Sequence, residues 1–144
     1  MKHKSIILIP LVIVFFLISF YLMFFVFFKK NILQDLNLTW NTEFVGNATT
    51  VAKGDLGPKG EQILLYKISS WGNEAYVKQL NSEGKTIYNN ISDKLQEENI
   101  LDDSKEALEY LKNGKYEVIE KDENSKLYIW NGDKNSLYIF VENI

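Results

Sequence analysis

Apolar and polar positions fall into three regimes along the chain. From Ser5 to Phe28 almost every residue is apolar and none is charged, with Lys2 and Lys4 before the run and Lys29 and Lys30 after it. From Asn31 to about Asn89 the pattern is mostly strand-like alternation broken by turn residues. Beyond Ser92 it turns helical and then alternates again to the end.

The first regime predicts a single transmembrane helix. At the helical rise it covers roughly 36 Å, more than the about 30 Å of a hydrocarbon core, and its flanking lysines are placed to reach the headgroups. Pro10 suits a first helical turn, so regular helix is expected from about Ile9. A cleaved signal peptide would be shorter and end in small residues, whereas this run ends Phe20-Tyr21-Leu22-Met23-Phe24-Phe25-Val26-Phe27-Phe28. An uncleaved signal anchor over residues 1–30 is therefore predicted. The lysines balance across it, and the α-amine together with Asp35 tips the N-terminus inside, placing the remainder outside the cytoplasm. The run has no glycine and no ionisable group, so it offers neither a small-residue dimer face nor an ion path.

Ile32, Leu33 and Leu36 recur at helical spacing and predict a short juxtamembrane stalk over 31–37, with a domain over 38–144. Leu38 to Val45 alternates as a half-buried strand. Gly54 to Gln62 holds three Gly-X-Y triplets, too few for a triple helix and without phosphate-loop spacing, so it reads as a connector. Gln62 to Ser69 is apolar at both parities, as expected of a strand covered on both faces. Ser70 to Asn73 reads as a turn. Ala75–Leu80 and Lys85–Asn89 then read as a hairpin across Asn81-Ser82-Glu83-Gly84, with Gly84 able to take positive φ.

A weak helix follows around Leu95, then a stronger one opening on an Asp103/Glu106 capping box. Ala107, Leu108 and Leu111 form its apolar face and Gly114 is its stop. Tyr116–Glu120, Leu127–Asn131 and Leu137–Glu142 close the chain as three strands. The fold class predicted is α+β: one N-terminal transmembrane helix, then a small domain with a mainly antiparallel sheet and one or two helices.

The last three strands differ by parity. Tyr116, Tyr128, Trp130, Tyr138 and Phe140 share one set of positions; Ile119, Leu127, Ile129, Leu137, Ile139 and Val141 share the other. The aliphatic set is the expected partner of the helix after Asp103. That leaves the aromatic set either under a second layer from the Trp40 segment or the stalk, or open as a binding face. Tyr128, Trp130, Tyr138 and Phe140 are on this ground the candidate interaction face, with Lys2, Lys4, Lys29 and Lys30 as membrane-interface flanks.

Composition then narrows the chemistry. Of the sixteen basic residues of the 144-residue chain, all lysine, four flank the apolar run. Twelve remain against nineteen acids, a charge of about −7 on the chain beyond Lys30, which disfavours nucleic acid and anionic lipid as partners. The single histidine is His3 and there is no cysteine, so the domain has no Cys/His zinc set, no Ser-His-Asp or Cys-His nucleophile, no disulfide and no guanidinium clamp. Lysine without arginine, together with abundant Asn, Ile, Phe and Tyr, is what the AT-rich codons of a low-GC bacterium produce. Asp102/Asp103 and Glu97/Glu98 are adjacent pairs that read as a helix cap and a solvated face rather than an acid and a base. Asn131-x-Asp133-x-Asn135 reads as a hairpin turn rather than a calcium loop, since the later acidic ligands are missing.

The plan is similar to that of a pilin, but no glycine or glutamate precedes Asp35 to form its leader motif, and no family is assigned. The reading is a non-enzymatic, membrane-anchored, single-pass surface module that binds a protein partner, without metal or cofactor. The alternatives are a structural subunit of a membrane assembly or a surface immunity protein, and a carboxylate-based enzyme acting on cell wall.

Overall fold

The computed structural model describes residues 12–23, 31–55, 62–69, 74–133 and 135–143. The chain divides into two units, Met1–Asn31 and Ile32–Ile144. In the first, residues 12–23 form helix α1, and its apolar side chains, from Val12 to Met23, are exposed. Among the described residues no helix is long and apolar enough to cross a membrane. The rest of the predicted span, and Lys2, Lys4, Lys29 and Lys30 with it, lies outside the described residues.

The second unit is α+β, with a six-stranded antiparallel sheet. In chain order its elements are α2 (Ile32–Trp40), β1 (Asn47–Asp55), β2 (Gln62–Ser69), α3 (Glu74–Gln79), β3 (Ser82–Glu83), α4 (Lys85–Glu97), α5 (Leu101–Asn113), β4 (Lys115–Asp122), β5 (Ser125–Asn131) and β6 (Ser136–Asn143). The strand order is β1-β2-β6-β5-β4-β3, so the last strand of the chain lies near the middle. Strand β6 pairs Phe140 with Leu65 on one side and with Tyr128 on the other, and all its residues but Asn143 are buried. A strand with neighbours on both edges and cover on both faces has to be apolar at both parities, as β6 is. Bulges fall at Thr50/Ala52 in β1 and Glu120/Asp122 in β4, in the outer part of the sheet where a strand edge gains most from being twisted away.

Each face of the sheet carries its own core. On one, Ile63, Leu65, Tyr128, Trp130, Tyr138 and Phe140 pack under Ile91 and Leu95 of α4 and Ala107, Leu108 and Leu111 of α5. On the other, Ile68, Leu127, Ile129, Leu137, Ile139 and Val141 pack under Leu36 and Trp40 of α2, with Phe44 and Leu80. The parity split of the last strands is present as predicted, but the helix after Asp103 covers the aromatic side. Its small residues explain why. Ala107 and Ser104 are buried on α5, and Ala107 leaves room for an indole whose N–H donates to its own carbonyl at 2.8 Å.

Several sequence expectations are corrected. Of the expected stalk, Ile32–Asn37 is helical but belongs to the compact unit, which begins at Ile32 and buries Leu36 in the second core. Leu38–Val45 is not a strand. Leu36 and Trp40, four apart, bury one face of α2, and Leu38 is 76 % exposed. Asn41 at φ 51° then ends the helix, with the Thr42 N–H donating to the Asn37 carbonyl.

The expected hairpin is helical on both sides of its turn. Ala75–Leu80 lies largely in α3, Lys85–Asn89 opens α4, and only Ser82–Glu83 is strand, paired with Lys115–Tyr116. Ile87, Tyr88, Ile91 and Leu95 recur at helical spacing, and this longer period outweighs the alternation visible in five residues. Gly84 is not at positive φ but at −64°. What it supplies is space, since a Cβ there would run into the Leu111 carbonyl oxygen.

The capping box at Asp103 is also absent. Helix α5 begins at Leu101 after Ile100, with no side-chain cap, and Asp102 and Asp103 lie in its first turn, where the helix dipole favours acids. Asn99, at φ 57°, makes the turn from α4. Its N–H donates to the Gln96 carbonyl and the Ile100 N–H to that of Leu95, the paired bonds of a Schellman cap. The connector from Leu56 to Glu61 and the Ser70–Asn73 turn lie outside the described residues.

Candidate functional site

The four residues proposed as an interaction face are interior. Tyr128 is 7 % exposed, Trp130 0 %, Tyr138 1 % and Phe140 0 %. The structure does bring them together, as a ring series in which Trp130 stacks on Tyr138 at 6.0 Å and Tyr128 tilts against Phe140 at 6.0 Å. They make a core layer and cannot meet a partner.

The polar tip of this layer reaches the surface at one place. Strand pairing sets Lys67 of β2 opposite Tyr138 of β6, and one turn of α5 brings Glu106 over both. The Tyr138 hydroxyl donates to Glu106 Oε1 at 2.9 Å, and Lys67 Nζ lies 3.3 Å from the same oxygen and 5.4 Å from the centre of the Tyr138 ring. Burial, followed by the bond to Glu106, pushes the Tyr138 phenol up to about 12. The Tyr138 hydroxyl, then Lys67, hold the Glu106 carboxyl below its ordinary value. Burial works against the charge of Lys67, but the hydroxyl of Tyr138 and the carboxylate of Glu106 outweigh it and raise the amine above its ordinary value.

Alongside runs a groove of about 500 Å³ lined by Glu106, Glu109, Tyr110, Asn113, Gly114 and Asn131. The last two turns of α5 form one wall and the end of β5 the other. The Tyr110 ring stacks on Tyr138 at 5.8 Å, so the groove's aromatic wall continues the buried ring series. Asn113 Nδ2 donates to the Glu109 carbonyl. Gly114 keeps the far end open, since a Cβ there would come within 2.8 Å of the Tyr110 carbonyl oxygen and 3.1 Å of Asn131 Oδ1. The lining is thus rich in oxygen acceptors beside an aromatic ring, and among the described residues it contains no cation.

The other candidates are structural or solvated. Asp102 pairs with Lys105 at 2.6 Å on the exposed side of α5. Glu97 is exposed, while Glu98 lies against Gly54, which has no side chain to displace it. Past Asn131, the last residue of β5, the Gly132 N–H donates to the Ser136 carbonyl at 2.9 Å and the Ser136 hydroxyl to Asp133 Oδ1 at 2.6 Å. That hydroxyl is the main reason the Asp133 carboxyl sits below its ordinary value. Among the described residues no group of three or more His, Cys, Asp or Glu side chains is arranged to hold a metal.

Sequence reading missed the groove because its residues come from the rim of α5, its C-cap and the last residue of β5, which no single local pattern brings together. The available signal was Tyr110, a half-buried aromatic between Glu106, Glu109 and Asn113 on α5. The described residues define a six-stranded antiparallel α+β domain with helices on both faces and an acceptor-lined groove at one end of α5. No family model, no curated protein and no solved structure matches the chain.

Proposed function

We propose that this chain is a single-pass membrane protein whose C-terminal domain lies outside the cytoplasm and binds a protein partner without catalysing a reaction. The observation that carries the reading is α1. Its apolar side chains, from Val12 to Met23, are exposed and have no polar side on which water could be accommodated. A helix apolar all round needs an apolar surrounding, and the uncharged sequence continues far enough on both sides to match a bilayer. The lysine balance and the acidic domain favour the outside location.

Binding is favoured over catalysis by the state of the available groups. The Tyr138 phenol is buried and pushed up to about 12, and Lys67 is held as an ammonium, so neither is a ready nucleophile at neutral pH. The groove places acceptors and a ring beside open space, which is suited to holding a ligand.

Alkaline carbonate extraction of membranes tests the anchor: the chain is expected to stay in the pellet, and release into the supernatant would overturn it. Protease added to intact cells tests the side, with loss of the Ile32–Ile144 unit expected. Survival of that unit until lysis would place it in the cytoplasm.

A further inference from the structure

We infer that the groove beside the last two turns of α5 receives a cationic side chain, a lysine ammonium or an arginine guanidinium, presented by a protein partner. The inference rests on the reading of the domain as a binding module and gives that module its ligand chemistry. Three features carry it. The first is the lining, with carboxylates from Glu106 and Glu109, amide oxygens from Asn113 and Asn131, and the Tyr110 ring. Among the described lining residues a ligand anion would find no cation, whereas an ammonium or guanidinium would meet carboxylate acceptors and a π-face together.

The second feature is that the protein already binds a cation in this way next door. Lys67 Nζ sits on Glu106 Oε1 and over the Tyr138 ring, and Tyr110, stacked on Tyr138, repeats the ring on the groove side. Glu109 is the carboxylate left over: among the described residues no side chain pairs with it, whereas Glu106 is held by Tyr138 and Lys67. The third is scale and field. A volume of about 500 Å³ accepts one long side chain with its flanking backbone, and a charge of about −7 beyond the apolar run steers a basic surface toward it.

The test is a titration of the full chain in dodecyl maltoside, followed by amide NMR. The probes are Nα-acetyl-lysine methylamide and Nα-acetyl-arginine methylamide, with the norleucine analogue as the uncharged control. One or both cationic probes are expected to shift the amides of Glu106 to Gly114 and Asn131, saturating in the millimolar range usual for a single side chain. The norleucine analogue is expected to leave them in place. Glu109→Gln, an exposed substitution, is expected to weaken the cationic probe about fivefold or more, with thermal unfolding unchanged.

Absence of localised shifts up to about 50 mM of either cationic probe would overturn the inference, a concentration well above the millimolar scale of weak contacts. So would equal shifts from the norleucine analogue, which would make the groove an apolar slot, or undiminished binding by Glu109→Gln. The titration needs neither a membrane nor a partner. Its failure therefore removes the groove assignment alone, and the extraction and protease assays decide the anchor and its orientation separately.

Discussion

The two faces of the sheet are filled by opposite means. On the face under α4 and α5 the strands contribute the large rings, Tyr128, Trp130, Tyr138 and Phe140, and the helices contribute aliphatic and small residues such as Leu95, Ala107 and Leu111. On the face under α2 the strands contribute Leu127, Ile129, Leu137 and Ile139, while the cover brings the rings of Trp40 and Phe44. A core reaches native density by setting large against small, and either side of the interface can supply the large partner. An all-aromatic strand face is therefore no sign of exposure. It signals a cover that carries small residues at the contact.

The covers also differ in strength. Helices α4 and α5 are thirteen residues each, joined by the Asn99 turn, whereas α2 is nine residues long and is held by Leu36, Trp40 and the bonds of Asn37 to Phe44. Trp130→Ala is expected to have the largest effect, about 3 to 5 kcal/mol, since it removes a fully buried ring and leaves the Ala107 carbonyl without its indole partner. Urea unfolding of the Ile32–Ile144 unit measures it, and a loss below about 1 kcal/mol would mean that the aromatic layer is not the core it is taken to be.

Trp40→Ala should cost about 3 kcal/mol, at the lower end for a buried ring, because the short helix can fray and the site can partly collapse. Hydrogen exchange sharpens the contrast. In Trp40→Ala the amides of α2 are expected to exchange by local opening ahead of β5 and β6, whereas Trp130→Ala should lower protection across the whole sheet. Uniform loss in both variants would erase the difference between the two covers.

Gly84→Ala probes how closely the stronger cover is assembled. The Gly84 N–H donates to the Gly114 carbonyl at 3.1 Å, and the added methyl would run into the Leu111 carbonyl oxygen, which belongs to backbone and cannot rotate away. A loss of about 2 kcal/mol is expected, the usual size of an overpacking defect, read as a lower urea midpoint at unchanged slope. No loss would mean that α4 and α5 part more easily than their contact implies.

The strongest sequence signals were those extending over a whole element. Strands β4 to β6, the two-faced β2 and the apolar face of α5 were all legible, the last three strands because one parity split runs through Tyr116–Glu120, Leu127–Asn131 and Leu137–Glu142 together. Lys85–Asn89 was misread because five residues with Ile87 and Tyr88 fit a strand as well as the first turn of a helix, and only Ile91 and Leu95 decide between them. Leu38–Val45 failed in the same way, with Trp40 belonging to a helical pair with Leu36 rather than to an alternation with Leu38. Which cover meets which face was not legible at all. It depends on the match between Ala107 and Trp130, residues 23 positions apart whose contact no local pattern encodes.

One hydrogen-bonded cluster on each face differs in charge, and this gives the smallest of the expected effects. The aromatic face ends in Tyr138, Glu106 and Lys67, whereas Asn37, Thr42 and the Phe44 backbone beside α2 form an uncharged cluster. A carboxyl whose folded value is lowered stabilises the fold above its ordinary value and loses that contribution as pH falls through the folded one. Glu106, lowered from 4.5, should therefore contribute fully near neutrality and fade below about pH 4.5. Lys67 runs the other way: raised from 10.5, it contributes fully below that value and fades only as pH rises through the folded one. Glu106→Gln still offers Tyr138 an acceptor but does not ionise, so the variant should lose less stability than the parent between pH 6 and pH 3. Asp102, Asp122 and Asp133, also lowered, leave an acid loss common to both proteins. Urea midpoints across that range measure the difference, and amide exchange locates it. Acid is expected to loosen the α5 side of Tyr138 before the Asn37 cluster. Equal acid sensitivity of parent and variant would show that the Glu106 bond stabilises the neutral and ionised forms alike.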